Sequence, residues 1–311
     1  MIATVTLNPS LDEWVTLPRL AVGDLNRATA FHRYPGGKGL NVSRVVHELG
    51  GRTRAFALCG GEDGAILRGL LARQAIPAVF VGVAGTTRNN YKLRTLHPRT
   101  LTEINTAGPR VSTAELAALE RRLLRCRPTP RCVVLSGSLP PGVPATMYAR
   151  WIRMLRDRRI PVALDTSGTA LTAGVAARPW LIKPNRQEAE ALLRMTIAGP
   201  AHALKAARRL QHLGPELVLL SLGKDGAILA TPQGVWEARP PTVAVDSAVG
   251  AGDSLLAGMV LGWARGASLC EAFRLGVACG TASAMTPGTE LCRRRDVMRL
   301  RPRVRVRAVM P

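Results

Sequence analysis

Asp253 follows the small-residue turn Gly250-Ala251-Gly252, which joins the apolar run Val243-Ala244-Val245 to a second apolar run beginning Ser254-Leu255-Leu256. A carboxylate in that position suits phosphoryl transfer. Glycines let the backbone turn tightly and leave amide N–H groups bare, and a helix start aims such donors and the positive dipole end at an anion. Gly250, Ala251 and Gly252 are therefore candidate holders of a transferring phosphoryl group. Asp253 is the candidate base, because a carboxylate repels phosphate and is useful beside it as an acceptor of the attacking hydroxyl's proton. The same residue type also caps helices. What tilts the balance is a second glycine turn, Gly36-Gly37-Lys38-Gly39, followed by Leu40-Asn41 and another helix-like run to Leu49.

Further segments carry polar groups at the ends of apolar runs. Asp12 comes after the opening run Ile2–Leu7 and Asn8-Pro9-Ser10, a place where the open end of a parallel sheet binds ligands. Gly37 and Gly39 permit close backbone approach to a substrate, and Asn41 offers both a donor and an acceptor to a pair of hydroxyls. Lys38 suits a phosphate. Ser136 and Ser138 close the run Cys132–Ser136 ahead of Pro140-Pro141 and can bond substrate or merely shape the turn.

These segments, together with Thr86-Thr87-Arg88-Asn89, Leu164-Asp165-Thr166-Ser167-Gly168, Lys183-Pro184-Asn185-Arg186-Gln187-Glu188 and Ser221-Leu222-Gly223-Lys224-Asp225-Gly226, resemble the ribokinase-like sugar kinases of the phosphofructokinase B family. The resemblance covers essentially the whole chain and is greatest toward the branch acting on ketohexose phosphates. It implies ATP-dependent phosphorylation of a ketohexose phosphate, with fructose 1-phosphate first and tagatose 6-phosphate or fructose 6-phosphate as alternatives. It implies Asp12, Gly37, Lys38, Gly39, Asn41 and Ser138 at the sugar. Arg27 and Arg88 match phosphate-binding positions of relatives, and a guanidinium fork suits a phosphate. On the nucleotide side it implies Lys183, Asn185, Ser221 and Gly223, with Glu188 holding waters of a Mg2+ ion bound mainly by ATP. Response to K+ near the Gly250 turn and a homodimer formed through a small β-lid are further implications. One departure stands out, Ala248, where relatives carry a threonine near the nucleotide phosphates.

Composition bounds the alternatives. The chain has 311 residues, 47% of them hydrophobic, enough for one large core. We read it as one ribokinase-like domain over residues 1–311, with lid segments at about 11–34 and 88–104. No long uncharged apolar run or basic leader opens it, which predicts a cytoplasmic protein without a membrane partner. Six cysteines lack Cys-x-x-Cys spacing and the histidines stand singly, so neither disulfides nor a zinc site is expected. The formal charge of +22 raises an alternative from a different class, nucleic-acid binding on an inactive kinase scaffold. The arginines are spread over helix faces without interleaved aromatics, which disfavours it. A kinase of an unphosphorylated sugar or nucleoside is the nearer alternative.

The elements that must place these residues follow from periodicity. Strand-like runs at Ile2–Leu7, Arg54–Leu58, Cys132–Ser136, Pro161–Leu164, Trp180–Lys183 and Leu217–Leu220 alternate with helical patterns. That alternation predicts an α/β fold, a three-layer α/β/α sandwich with a mostly parallel sheet. Ser112-x-x-Glu115 predicts a capping box opening a helix to Arg125, and Pro144 suits the first turn of a helix through Arg158. The alternating Arg303-Val304-Arg305-Val306-Arg307 predicts a last edge strand with its arginines in water.

Overall fold

A computed structural model describes residues 1–309. The first third of the chain contains β1 (Ile2–Thr6), β2 (Ser10–Leu17), β3 (Ala30–Gly36), α1 (Lys38–Glu48), β4 (Thr53–Cys59), α2 (Gly61–Arg73), β5 (Ala78–Gly82), β6 (Arg88–Thr95) and β7 (Thr100–Asn105). The middle contains α3 (Thr113–Leu124), β8 (Cys132–Ser136), α4 (Met147–Arg156), β9 (Val162–Asp165), α5 (Gly168–Ala176), β10 (Leu181–Ile182), α6 (Arg186–Leu193) and α7 (Pro200–His212). The last third contains β11 (Leu217–Ser221), β12 (Ala227–Thr231), β13 (Gly234–Arg239), α8 (Ala251–Ala264), α9 (Leu269–Ala284), α10 (Arg294–Leu300) and β14 (Arg305–Val309).

Ten strands form one sheet in the order β14-β13-β12-β11-β10-β9-β8-β1-β4-β5. The seven from β11 to β5 run parallel, and β12, β13 and β14 extend the sheet as antiparallel strands. Its inner parallel strands are largely apolar on both faces because both faces are covered. Val133 and Leu135 of β8 pack in the layer with Trp151, Ile152 and Leu155 of α4. Cys132 and Val134 face the other way, into the layer of Val42 and Val46 from α1 and Leu256 and Val260 from α8. This is the expected sandwich.

The lid is a separate sheet in the order β3-β2-β6-β7. Its inner face is read from alternation: Asn90 and Lys92 are buried, while Tyr91 between them is exposed. Outward, Phe31, Tyr91 and Ile104 are exposed apolar residues.

Local chemistry explains several boundaries. The Ser112–Glu115 capping box is formed in both directions at α3. β14 pairs with β13 at the sheet's edge with Arg305 and Arg307 exposed, as the Val/Arg alternation predicts. Pro144 is a correction: α4 starts at Met147, and Pro144 instead accepts from the Met147 amide in the turn before it. The hairpin of β12 and β13 and the short β5 escaped the sequence reading, since neither interrupts a longer apolar period.

Candidate active site

Both glycine turns become helix starts without a side-chain cap. Gly37 precedes α1 with φ +121° and Gly250 precedes α8 with φ +78°, conformations that side-chain-bearing residues resist. In α8 the first intrahelical bond runs from Ser254 N to the Gly250 carbonyl. The Gly252 and Asp253 amides have no partner among the described residues, so α8 offers bare donors with the positive end of its dipole. Gly250 holds the cap position and Asp253 lies inside the first turn. Helix capping therefore does not account for Asp253.

Its carboxylate accepts from Asn41 Nδ2 on α1 over 2.8 Å. Asn41 is itself oriented, because Arg44 Nη1 donates to Asn41 Oδ1 over 3.1 Å and leaves the amide nitrogen for Asp253. Arg44 is buried and also donates to the Pro35 and Thr289 carbonyls and to Gln74 Oε1. Burial pulls its pKa down to about 10. Around Asp253, burial and then the neighbouring Asp165 carboxylate push the pKa up to about 6, against the pull of Lys38, Asn41 and Lys183. A base in that range titrates near neutral pH.

Asp165 closes β9 and is fully buried. Lys38 Nζ donates to its Oδ1 over 2.9 Å, and Lys183 Nζ approaches Oδ2 at 3.2 Å. Burial opposes its ionisation, yet Lys183 and Lys38 outweigh that and hold its carboxyl below the usual range. Asp165 in turn raises the Lys38 pKa. Lys38 is thus held beside the α8 turn rather than waving from a loop. Sequence reasoning quoted the segment around Asp165 without assigning it a role; an acid closing an apolar strand at its carboxyl end was the available signal.

Asp12 lies within β2, on the lid, above the carboxyl end of β1. Its Oδ1 accepts from Ser10 Oγ at 3.0 Å and Asn90 Nδ2 at 3.2 Å, and Thr289 Oγ1 stands 3.5 Å from Oδ2. Trp14 Nε1 donates to Thr289 Oγ1, which ties the lid to the 287–289 segment. Arg88 donates to the Asn8 and Thr106 carbonyls and to Asn90 Oδ1, so it stands with Asp12 at the lid's base. Arg27 does not join it: it is exposed in the connection from β2 to β3, with no hydrogen bond or ion pair among the described residues. Ser138 accepts from Asn8 Nδ2, and Ser136 Oγ is buried without a partner among the described residues.

Lys183 and Asn185 follow β10, while Ser221 closes its neighbour β11 and Gly223 follows it. Asn185 and Ser221 form a parallel bridge. Asn185 caps α6 and Glu188 completes a capping box through Oε2. Glu188 Oε1 has no protein partner among the described residues, so it fits a water of a Mg2+ ion. Ala248 is exposed just before the Gly250 turn. A cleft of about 370 Å3 lined by Ile152, Arg156, Pro161, Trp180 and Glu216 opens at the amino ends of β9, β10 and β11, the opposite end of the sheet from Asp165. The chemistry gathers at the carboxyl ends, where open parallel sheets bind ligands.

Bare amides, two lysines and a base of raised pKa can hold a phosphoryl group and activate a hydroxyl. The model of the pfkB family carbohydrate kinases matches residues 5–295. The 1-phosphofructokinase of Bacillus subtilis is 36% identical over 306 residues, 98% of this chain and 99% of that protein. Phosphofructokinase-2 from Escherichia coli, solved in complex with substrates and products, superposes with a TM-score of 0.92 at 34% identity, covering 97% of this chain and 98% of that one. A plant ribokinase from Arabidopsis thaliana, complexed with ribose and ATP, shares the fold at a TM-score of 0.79 and 19% identity, over 96% and 98% of the two chains. On the family model and the full-length relatives together, the chain belongs to the pfkB family of carbohydrate kinases.

Proposed function

We propose that this kinase transfers the terminal phosphoryl group of ATP to a free primary hydroxyl of fructose 1-phosphate, giving fructose 1,6-bisphosphate. The observation that carries the reading is Asp253, a buried carboxylate of raised pKa beside the Gly252 and Asp253 amides, which have no partner among the described residues. Asp253 takes the hydroxyl proton as the new O–P bond forms and the bond to ADP breaks. The amides of the Gly250–Asp253 turn, with Lys38 and Lys183, stabilise the charge that develops on the transferring group. Asn41 holds the Asp253 carboxylate in line. Asp12, with Asn90 behind it, receives the sugar hydroxyls at the lid, where Gly37, Gly39 and Ser138 border the sugar. Arg88 reads the existing phosphate, and Arg27 is the second cation proposed for it.

Lys183, Asn185, Ser221 and Gly223 line the ATP channel, and Glu188 holds Mg2+ through water. Bound there, Mg2+ supplies neutralisation of the phosphate charge. A solved form of the Escherichia coli phosphofructokinase-2 is described in complex with potassium, which supports a K+ response here. The exposed Phe31, Tyr91 and Ile104 on the outer lid face support a homodimer through the lid. The same Escherichia coli protein is described in a tetrameric inhibited form, so assembly beyond a pair is an outcome the test must admit. We read residues 1–311 as one catalytic domain that works in the cytoplasm; no helix among the described residues is long and apolar enough to cross a membrane.

A second reading, phosphorylation of fructose 6-phosphate, draws on the similarity to phosphofructokinase-2. Steady-state assays with Mg-ATP and fructose 1-phosphate, fructose 6-phosphate, tagatose 6-phosphate and free fructose separate them. The highest kcat/KM is expected for fructose 1-phosphate. A preference for free fructose overturns the phosphate-reading role of Arg88.

A further inference from the structure

The lid carries Asp12, Asn90 and Arg88, while Asp253 belongs to the main sandwich. The gap between a sugar hydroxyl and its base therefore depends on where the lid sits. At the lid's base, Trp14 and Thr289 make one connection. The far end makes another. Arg94, near the end of β6, donates Nη2 to Asp246 Oδ1 over 2.8 Å and Nη1 to Asp246 Oδ2 over 3.1 Å. Arg99, in the turn between β6 and β7, adds a bond of 2.6 Å to the same Oδ1.

Asp246 is well placed to transmit that grip. It lies in the stretch between β13 and α8, which has no regular secondary structure, seven residues before Asp253. The Asp246 and Ser247 amides both donate to the Ala284 carbonyl at the end of α9, which fixes the stretch to the main body. A bidentate guanidinium–carboxylate pair is the strong, geometrically selective kind. Arg94 and Asp246 are each only 24% exposed, so solvent screens this pair less than it would a fully exposed surface pair.

We infer that Asp246 is a positioning residue, a latch that ties the lid tip to the segment leading into the phosphate-binding turn and sets the acceptor against Asp253. The inference rests on the kinase reading of the site. Asp246→Asn keeps the shape and removes the charge. It should raise KM for fructose 1-phosphate about three- to tenfold while leaving KM for ATP within about twofold, the scale of one partly shielded charged contact. High salt should bring the wild type toward the variant.

Hydrogen exchange of the full-length protein supplies a readout apart from turnover. Amides of residues 94–102 should exchange faster in Asp246→Asn, and Arg94→Gln with Arg99→Gln should do the same. Adding Asp246→Asn to that pair should change nothing further. Arg99 is 59% exposed, so Arg99→Gln alone leaves the fold intact and should give a smaller change of the same sign. Unaltered lid exchange and KM in Asp246→Asn, or effects that multiply independently, would overturn the latch. A wild type that phosphorylates none of the sugar phosphates would overturn the kinase reading instead, whatever the lid exchange shows.

Discussion

Asn41 of α1 and Asp253 of α8 lie 212 positions apart in sequence and meet at 2.8 Å. This contact brings the two glycine turns to one place. If Asp253 is the base, Asp253→Asn should lower kcat by about 10²- to 10⁴-fold, the usual worth of general-base help. ATP affinity, measured by equilibrium binding, should stay near the wild-type value because the turn's amides are untouched. Full turnover in the variant would end the assignment.

The raised Asp253 pKa sets a pH dependence. In the folded chain the group binds its proton more tightly than its ordinary value of 3.8 implies, so the base form is populated above about pH 6. The acid limb of kcat/KM should therefore lie near pH 6. Asp165→Asn removes a neighbouring negative charge and should move that limb to lower pH, while also loosening Lys38 and Lys183. The linkage has the opposite sense for stability: a raised carboxylate pKa costs folding free energy as pH climbs from about 4 to about 6. Asp253→Asn should consequently be more stable than the wild type at pH 8, by about 1–3 kcal/mol in urea unfolding.

Arg44 orients Asn41 and bonds two carbonyls besides. Arg44→Gln should cost at least about 2 kcal/mol in urea unfolding, because buried acceptors lose their donor. Enough folded protein at low temperature should show a lower kcat with KM for ATP little changed. Its acid limb should shift upward, since a freed Asn41 no longer favours the ionised Asp253.

Arg88 and Arg27 separate by their surroundings. Arg88→Ala should raise KM for fructose 1-phosphate about tenfold or more, as loss of a charged phosphate contact does. Arg27 is exposed and makes no hydrogen bond or ion pair among the described residues, so Arg27→Ala should change KM less in the same assay. Equal and negligible changes would remove both from the phosphate.

Charges on the outer lid face test the homodimer. Phe31→Asp with Ile104→Asp places carboxylates among exposed apolar side chains without touching the inner face. Light scattering should show a smaller assembly than the wild type under the same conditions. An unchanged mass would place the interface elsewhere.

Features ruled by neighbours in the chain were legible before any coordinates. The capping box of Ser112 and Glu115, the strand Cys132–Ser136 and the final edge strand all rest on contacts a few residues long or on a simple alternation. The two glycine turns were legible for the same reason, since tight turns and bare helix starts demand particular residues locally. What the turns do together was not. Asp165 meets Lys38 across 127 positions, Arg44 reaches Thr289 across 245, and Arg94 grips Asp246 across 152. Among 43 lysines and arginines, nothing local marks which carboxylate each one will meet. The amino-acid order by itself determined the α/β alternation and the residues able to handle phosphate. Only the closing of the parallel sheet and its lid decided which of them are buried together, because burial and charge proximity, and with them the raised Asp253 pKa, exist only once distant strand ends are brought side by side.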